Sequence, residues 1–275
     1  MDYLKILICG ILLSFAIFDL LVSIYTYSRH DRSSKYFSFL SISIAIYSLG
    51  YAMELYSSSL NHKLIWNLVQ YVGLPFIPTF WVLFTFSYIN KSLRLRTKLI
   101  LFIFPIFTVF FRYTSYISRF DYSGVQLLTN KYFSVLDIQK GPWYLVNGFF
   151  IAFGFVISNY YYFILFRKST GIIRRQGQLL LIASLFPWLA FIMDLLNISP
   201  FGVDYGPIAL TFALLILSIA FFRYRFLNLR PLARDKIFES TSDGIIVLEK
   251  NYNIIDNKFK LKIFPEILEE TLKHL

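Results

Sequence analysis

Four ionisable side chains stand inside otherwise apolar stretches of the sequence: Asp19, Glu54, Arg112 and Asp194. A charge within an apolar run of membrane length is costly, so each marks either a functional site or a specific buried partner. Uncharged polar residues accompany them. Asn67 and Gln70 are three apart, hence on one helix face, and Asn147 falls near the start of a later apolar run. Trp143 and Trp188, with Trp66, Tyr71 and Tyr144, are counted to a comparable depth. Sparse polar anchors among aromatics suit the capture of a small ligand. The ligand-binding candidates are therefore Asp194, Glu54, Asn67, Gln70, Asn147, Trp143 and Trp188. Structural roles compete with this reading, because Trp and Tyr favour membrane interfaces and Asn or Gln join helices. For Arg112 the competing structural role is to snorkel outward. Asp19 is expected to meet a buried partner on a neighbouring helix, and Asp204, just before Gly206-Pro207, reads as a turn and helix start.

Bond-making chemistry finds little support. There is no H-E-x-x-H, no pair of carboxylates at catalytic spacing and no serine-nucleophile arrangement. The three histidines, His30, His62 and His274, lack the acidic residue and helix of a phosphoacceptor box, and no glycine-rich nucleotide motif occurs. A retinal protein would need a lysine in the last apolar run, and PIALTFALLILSIAFF has none. The chain is not expected to be an enzyme by itself, and no cofactor or metal is implied.

The elements that must hold these residues follow from composition. The 275 residues are 57% apolar and 20% aromatic but only 16% charged, against about 25% charged in soluble domains. Mean hydropathy is +0.58. Roughly 20 apolar residues cross a bilayer as a helix, and such runs occur at about 4–27, 36–56, 65–89, 99–117, 142–166, 179–197 and 207–226. The expected fold is an all-α bundle of seven transmembrane helices. The first run is too long for a signal peptide and has no small-residue cleavage site. Cys9, the single cysteine, can form no internal bridge. Pro75, Pro78, Pro105 and Pro187 fall inside the spans and permit kinks.

The formal net charge of +11 would suggest nucleic acid in a soluble protein. Here it follows the loops instead. Sixteen Lys and Arg lie in the loops after helices 1, 3, 5 and 7, and five lie on the other side. Basic loops favour the cytoplasm, so the N-terminus is expected outside and the C-terminus inside, with the basic clusters touching lipid headgroups and no role in nucleic-acid binding. The longest outer loop, about 118–141, reads either as a folded cap or as a solvated connector.

Beyond helix 7, residues 227–239 read as a helical connector, in which Arg230, Pro231 and Asp235 are assigned to signal transmission. Residues 240–275 begin with a breaker at Asp243-Gly244, a strand at IIVLE, a turn at KNYN and a strand near IID. Several segments in order, WNLVQYVGLPFIPTFWVLFTFSYIN, GPWYLVNGFF, RRQGQLLLIASLFPWLAFIMDLLN, DYGPIALTFALL and PLARDKIFESTSDGIIVLEKNYNIIDN, resemble the seven-helix N-terminal sensor region of bacterial histidine kinases and related receptors, followed by the start of a PAS domain. The resemblance implies a multi-pass sensor in the bacterial cytoplasmic membrane, domains at 1–226, 227–239 and 240–275, an output module or partner in the cytoplasm, and a homodimer. A complete PAS fold is longer than the residues after Glu239, so the chain is expected to be a fragment of a larger receptor or a short form. A small-solute transporter is the alternative, with Pro75-Phe-Ile-Pro78 as a possible helix break.

Overall fold

The computed structural model describes residues 2–29, 31–129, 134–224, 245–248 and 254–258. Seven helical spans account for most of them. They are α1 (Asp2–Tyr27), α2 (Arg32–Tyr56), α3 (Leu60–Gly73) continued by α4 (Ile77–Tyr88), α5 (Leu95–Tyr113), α7 (Pro142–Lys168), α8 (Gly171–Leu195) and α9 (Gly206–Tyr224); α6 (Ser115–Ser118) is a single turn. Five of the spans, counting Leu60–Tyr88 as one, are long and apolar enough to cross a membrane. In α5 the apolar run is shared with Arg96, Lys98 and Arg112.

Several helices begin earlier than their apolar runs because polar residues cap them. Asp31 precedes α2, and its Oδ2 accepts the Ser34 amide at 2.9 Å. Ser59 caps α3 by accepting the His62 amide at 3.3 Å. Such caps satisfy the orphan N–H groups of a first turn. Pro75 occupies a turn of 3-10 helix, Leu74–Phe76, that interrupts the third span. Pro105 and Pro187 lie within continuous helices.

The centre of the bundle is α2, which packs against α1, α3, α4 and α9. It is serine-rich, and Ser34, Ser38, Ser41, Ser43 and Ser48 are all buried. Small residues let helices approach closely in lipid. The Ser38 hydroxyl donates to the Ser23 carbonyl at 2.8 Å, and the Ser23 hydroxyl donates to the Ser38 carbonyl at 3.0 Å, tying α1 to α2. Gly73 lies against the Ser43 carbonyl so closely that any side chain there would collide with it. Phe37, Leu40, Ile44, Trp81, Phe84, Tyr162, Leu180 and Leu214 form the main core. Leu7, Ile17, Leu21 and Ile24 of α1, and Phe149, Phe153 and Tyr160 of α7, are exposed, as expected of side chains that face lipid.

The long loop is a folded element. It forms an antiparallel hairpin of β1 (Tyr122–Thr129) and β2 (Ser134–Lys140), with an irregular register between Tyr122 and Gly124. Val135 is buried in a second cluster with Cys9, Leu12, Tyr51, Leu55 and Val203, so the hairpin caps this end of the bundle.

The chain divides into two compact units, Met1–Leu227 and Asn228–Leu275. In the second, β3 (Ile245–Leu248) and β4 (Ile254–Lys258) pair antiparallel, on the two segments expected to be strands. The connector with Arg230, Pro231 and Asp235 lies outside the described residues.

Candidate ligand cavity

Beneath the hairpin is a cavity of about 430 Å³, within the range of small-molecule sites. Five of the seven candidate residues line it: Glu54, Asn67, Gln70, Asn147 and Asp194. They converge from α2, α3, α7 and α8. On α7 the lining positions are Tyr144, Asn147, Gly148, Ile151 and Phe155, one face at helical spacing. Leu128, Leu136, Ile138 and Lys140 of the hairpin line the cavity too.

Trp143 and Trp188 are not among the lining residues. The Trp143 indole N–H donates to the Thr108 hydroxyl at 2.9 Å, tying α7 to α5. Trp188 packs on Phe155 and Phe191, with ring centroids 5.7 and 6.1 Å apart, directly behind the wall.

Glu54 is 5% exposed. Its Oε2 accepts from Asn67 Nδ2 at 3.0 Å and from Gln70 Nε2 at 2.6 Å. Asn67 is turned this way by Arg112, whose Nε and Nη2 donate to Asn67 Oδ1 at 3.0 and 2.6 Å. Guanidinium has no acceptor, so the Asn67 carbonyl must face Arg112 and its NH₂ must face Glu54. Of the two readings of Arg112, the snorkelling one is thus set aside. Arg112 is 4% exposed and points inward, with Nη1 donating to the Ser115 hydroxyl at 2.9 Å and its guanidinium 3.8 Å from the Tyr122 ring centroid. One carbonyl oxygen that accepts two guanidinium N–H bonds, together with an aromatic face, outweighs the snorkelling option. Lys63, counted from sequence as a loop cation, is also buried and donates to the Glu54 carbonyl at 2.7 Å.

On the opposite wall, Asp204 does more than start α9. Its Oδ1 accepts the Gly206 amide at 2.7 Å, as a cap does. Its Oδ2 accepts a hydrogen bond from the Tyr47 hydroxyl, and its own amide donates to the Tyr51 hydroxyl. A Cβ on Gly206 would lie 2.6 Å from the Tyr47 hydroxyl and 2.9 Å from Asp204 Oδ1, so a side chain there would push this pair aside. Burial pushes the Asp204 carboxyl above the ordinary range, and the Tyr47 and Gly206 donors pull it partly back. Sequence reasoning missed Tyr47 and Tyr51 as site residues, although 47, 51 and 54 follow one helix face.

Asp194 is different in kind. It is 53% exposed, and Lys140 Nζ is 3.4 Å from its Oδ1. Tyr144 donates to its Oδ2. Lys140 also donates to the Asp194 carbonyl at 2.9 Å and to Asn197 Oδ1 at 3.1 Å, linking the base of the hairpin to the end of α8. Outside the cavity, Asp19 has the partner expected on a neighbouring helix, the Thr211 hydroxyl of α9 at 2.8 Å.

Residues 11–231 match the family model described as the N-terminal 7TM region of histidine kinase. The chain belongs to that family. A search of curated proteins found no match. Membership agrees with the sequence resemblance and makes this chain a sensor region, the part of a histidine kinase that is distinct from its catalytic part. The hairpin-capped cavity is thus the site of interest in a histidine-kinase 7TM region, and the apolar spans make it a multi-pass membrane protein.

Proposed function

We propose that this 7TM region is a receptor that takes up a small molecule in the cavity beneath the hairpin and passes the change inward through α9. The observation that carries this reading is the cavity itself: polar groups from four helices converge on it under a folded cap. In this reading the N-terminus is outside, as the sixteen-to-five distribution of loop cations favours. The cavity then opens away from the cytoplasm, in the cytoplasmic membrane of a bacterium. Residues 227–239, including Arg230, Pro231 and Asp235, connect α9 to a PAS-like segment and a two-component output, and two copies work together as a dimer. Ligand shifts the equilibrium between bundle arrangements only by its differential affinity for them. Contacts that differ between states can arise here because α2, α7, α8 and the hairpin all contribute to one wall.

The test is a thermal-shift screen of small molecules on the purified chain in detergent, repeated on Gly148→Phe. Gly148 lies on the cavity face of α7, and a Cβ there meets open space, so phenylalanine fills the cavity without displacing backbone. Ligands of this site stabilise the unaltered chain and lose their effect on the variant. Stabilisation that persists in full on Gly148→Phe overturns the assignment.

A further inference from the structure

The charge balance of the cavity specifies its ligand further, on the reading that this cavity is the ligand site. Four carboxylates line it, Glu54, Asp137, Asp194 and Asp204, against one ammonium, Lys140. That ammonium is spent: its three N–H bonds are met by the Asp194 carbonyl, Asp194 Oδ1 and Asn197 Oδ1. Arg112 stands behind the wall, its fork closed on Asn67 and its face covered by Tyr122. Lys63 is buried beside Glu54, donates to its carbonyl and does not line the cavity. An incoming anion would find no free cation among the lining residues and a surplus of acidic groups.

The carboxylates are not all spent. Each oxygen of Asp204 has a donor, Tyr47 and the Gly206 amide. Glu54 receives both of its amide donors on Oε2, and no donor among the described residues reaches Oε1. This carboxylate is 95% buried by the bundle and lines the cavity. An oxygen with no protein donor on a residue that lines the cavity is an open acceptor, and a ligand ammonium supplies the donor and the opposite charge together. The rest of the wall suits an apolar body, with Leu74, Ile77, Phe155 and Leu210.

We propose that the cavity binds a small organic cation, an amine on an apolar or aromatic body, with its ammonium donating to Glu54 Oε1. The class is a primary or secondary amine, because the contact needs an N–H. Acidic surplus also draws cations toward the site before contact.

The experiment compares head groups on constant bodies. Phenyl, indolyl and hexyl bodies are each presented as the ethyl-linked amine, the alcohol and the carboxylate, and binding is measured by thermal shift and calorimetry on the unaltered chain, Gly148→Phe and Glu54→Gln. Amines bind at least about tenfold more tightly than the matching alcohols, carboxylates bind least, and Glu54→Gln removes the amine advantage while leaving alcohol binding in place. The head-group comparison is made on the unaltered chain, so it stands even where Glu54→Gln does not fold. Alcohols or carboxylates that bind as well as the amines, with binding lost on Gly148→Phe, overturn the cation assignment and leave the receptor cavity intact. An amine advantage that survives Glu54→Gln overturns the role of Glu54. No binding by any compound in the series overturns the cavity as a site for molecules of this class and the cation assignment with it.

Discussion

Replacing Arg112 tests whether the inward-facing guanidinium organises the cavity. In Arg112→Leu, Asn67 loses both donors to its Oδ1, Ser115 loses one, and Tyr122 loses the cation on its face. Three charge-assisted bonds at about 1.5 kcal/mol each and a desolvated cation–π contact of about 1–2 kcal/mol give a gross loss of roughly 6 kcal/mol. Burying leucine recovers about 2 kcal/mol, which leaves a net loss of about 3–4 kcal/mol. At about 2–4 °C per kcal/mol, the melting temperature falls by on the order of 10 °C. Arg112→Lys keeps the charge but not the fork, and should cost about half as much. The chain carries its own reporter: Cys9 is the only cysteine and is buried, so a thiol-reactive dye reads unfolding directly in detergent. If Arg112→Lys and Arg112→Leu both melt within about 1 °C of the unaltered chain, Arg112 is a surface snorkel and the account of Asn67 orientation falls with it.

Two further perturbations address the hairpin and the helix crossing. Burial pushes the Asp121 carboxyl up to about 6, with Arg112 pulling it partly back; Oδ2 has no hydrogen-bond partner among the described residues. A carboxyl raised above its unfolded value of about 3.9 stabilises the fold below that pH, and this stability is lost as pH rises through about 6. Asp121→Asn should therefore flatten the dependence and be more stable than the unaltered chain at pH 8, by up to about 3 kcal/mol; parallel melting curves from pH 4 to 8 would sink this reading. Gly73→Ala drives a methyl into the Ser43 carbonyl and to 3.1 Å from Ile46 Cβ, an overpacking cost of about 1–3 kcal/mol, and unchanged Cys9 labelling on heating would show that the α2–α3 crossing yields freely.

Legibility from sequence varied with the kind of information each residue needed. The helical spans were readable because lipid leaves a helix as the natural way to satisfy a long apolar backbone. Depth was readable too, since rise per residue is fixed. That is why Glu54, Asn67, Gln70, Asn147 and Asp194, counted to one end, do meet around one cavity. Rotation about each helix axis was not readable. Runs that are apolar nearly all round carry little record of which face turns inward, so the sequence points to Trp143 and Trp188 where the structure lines the wall with their neighbours. The inward turn of Arg112 is hidden from the sequence for the same reason. Its cost is relieved by Asn67 and Tyr122, which are 45 and 10 positions away and are brought to it only by helix order and the hairpin. Asp204 looked like a cap because its capping bond is local, whereas Tyr47 lies 157 residues earlier. Composition, the seven spans and the family's ordered motifs belong to the sequence, because they depend on solvent transfer and local periodicity. Partner identity, the folded cap and the unspent oxygen of Glu54 belong to the tertiary structure, because only packing decides which donors reach which acceptors.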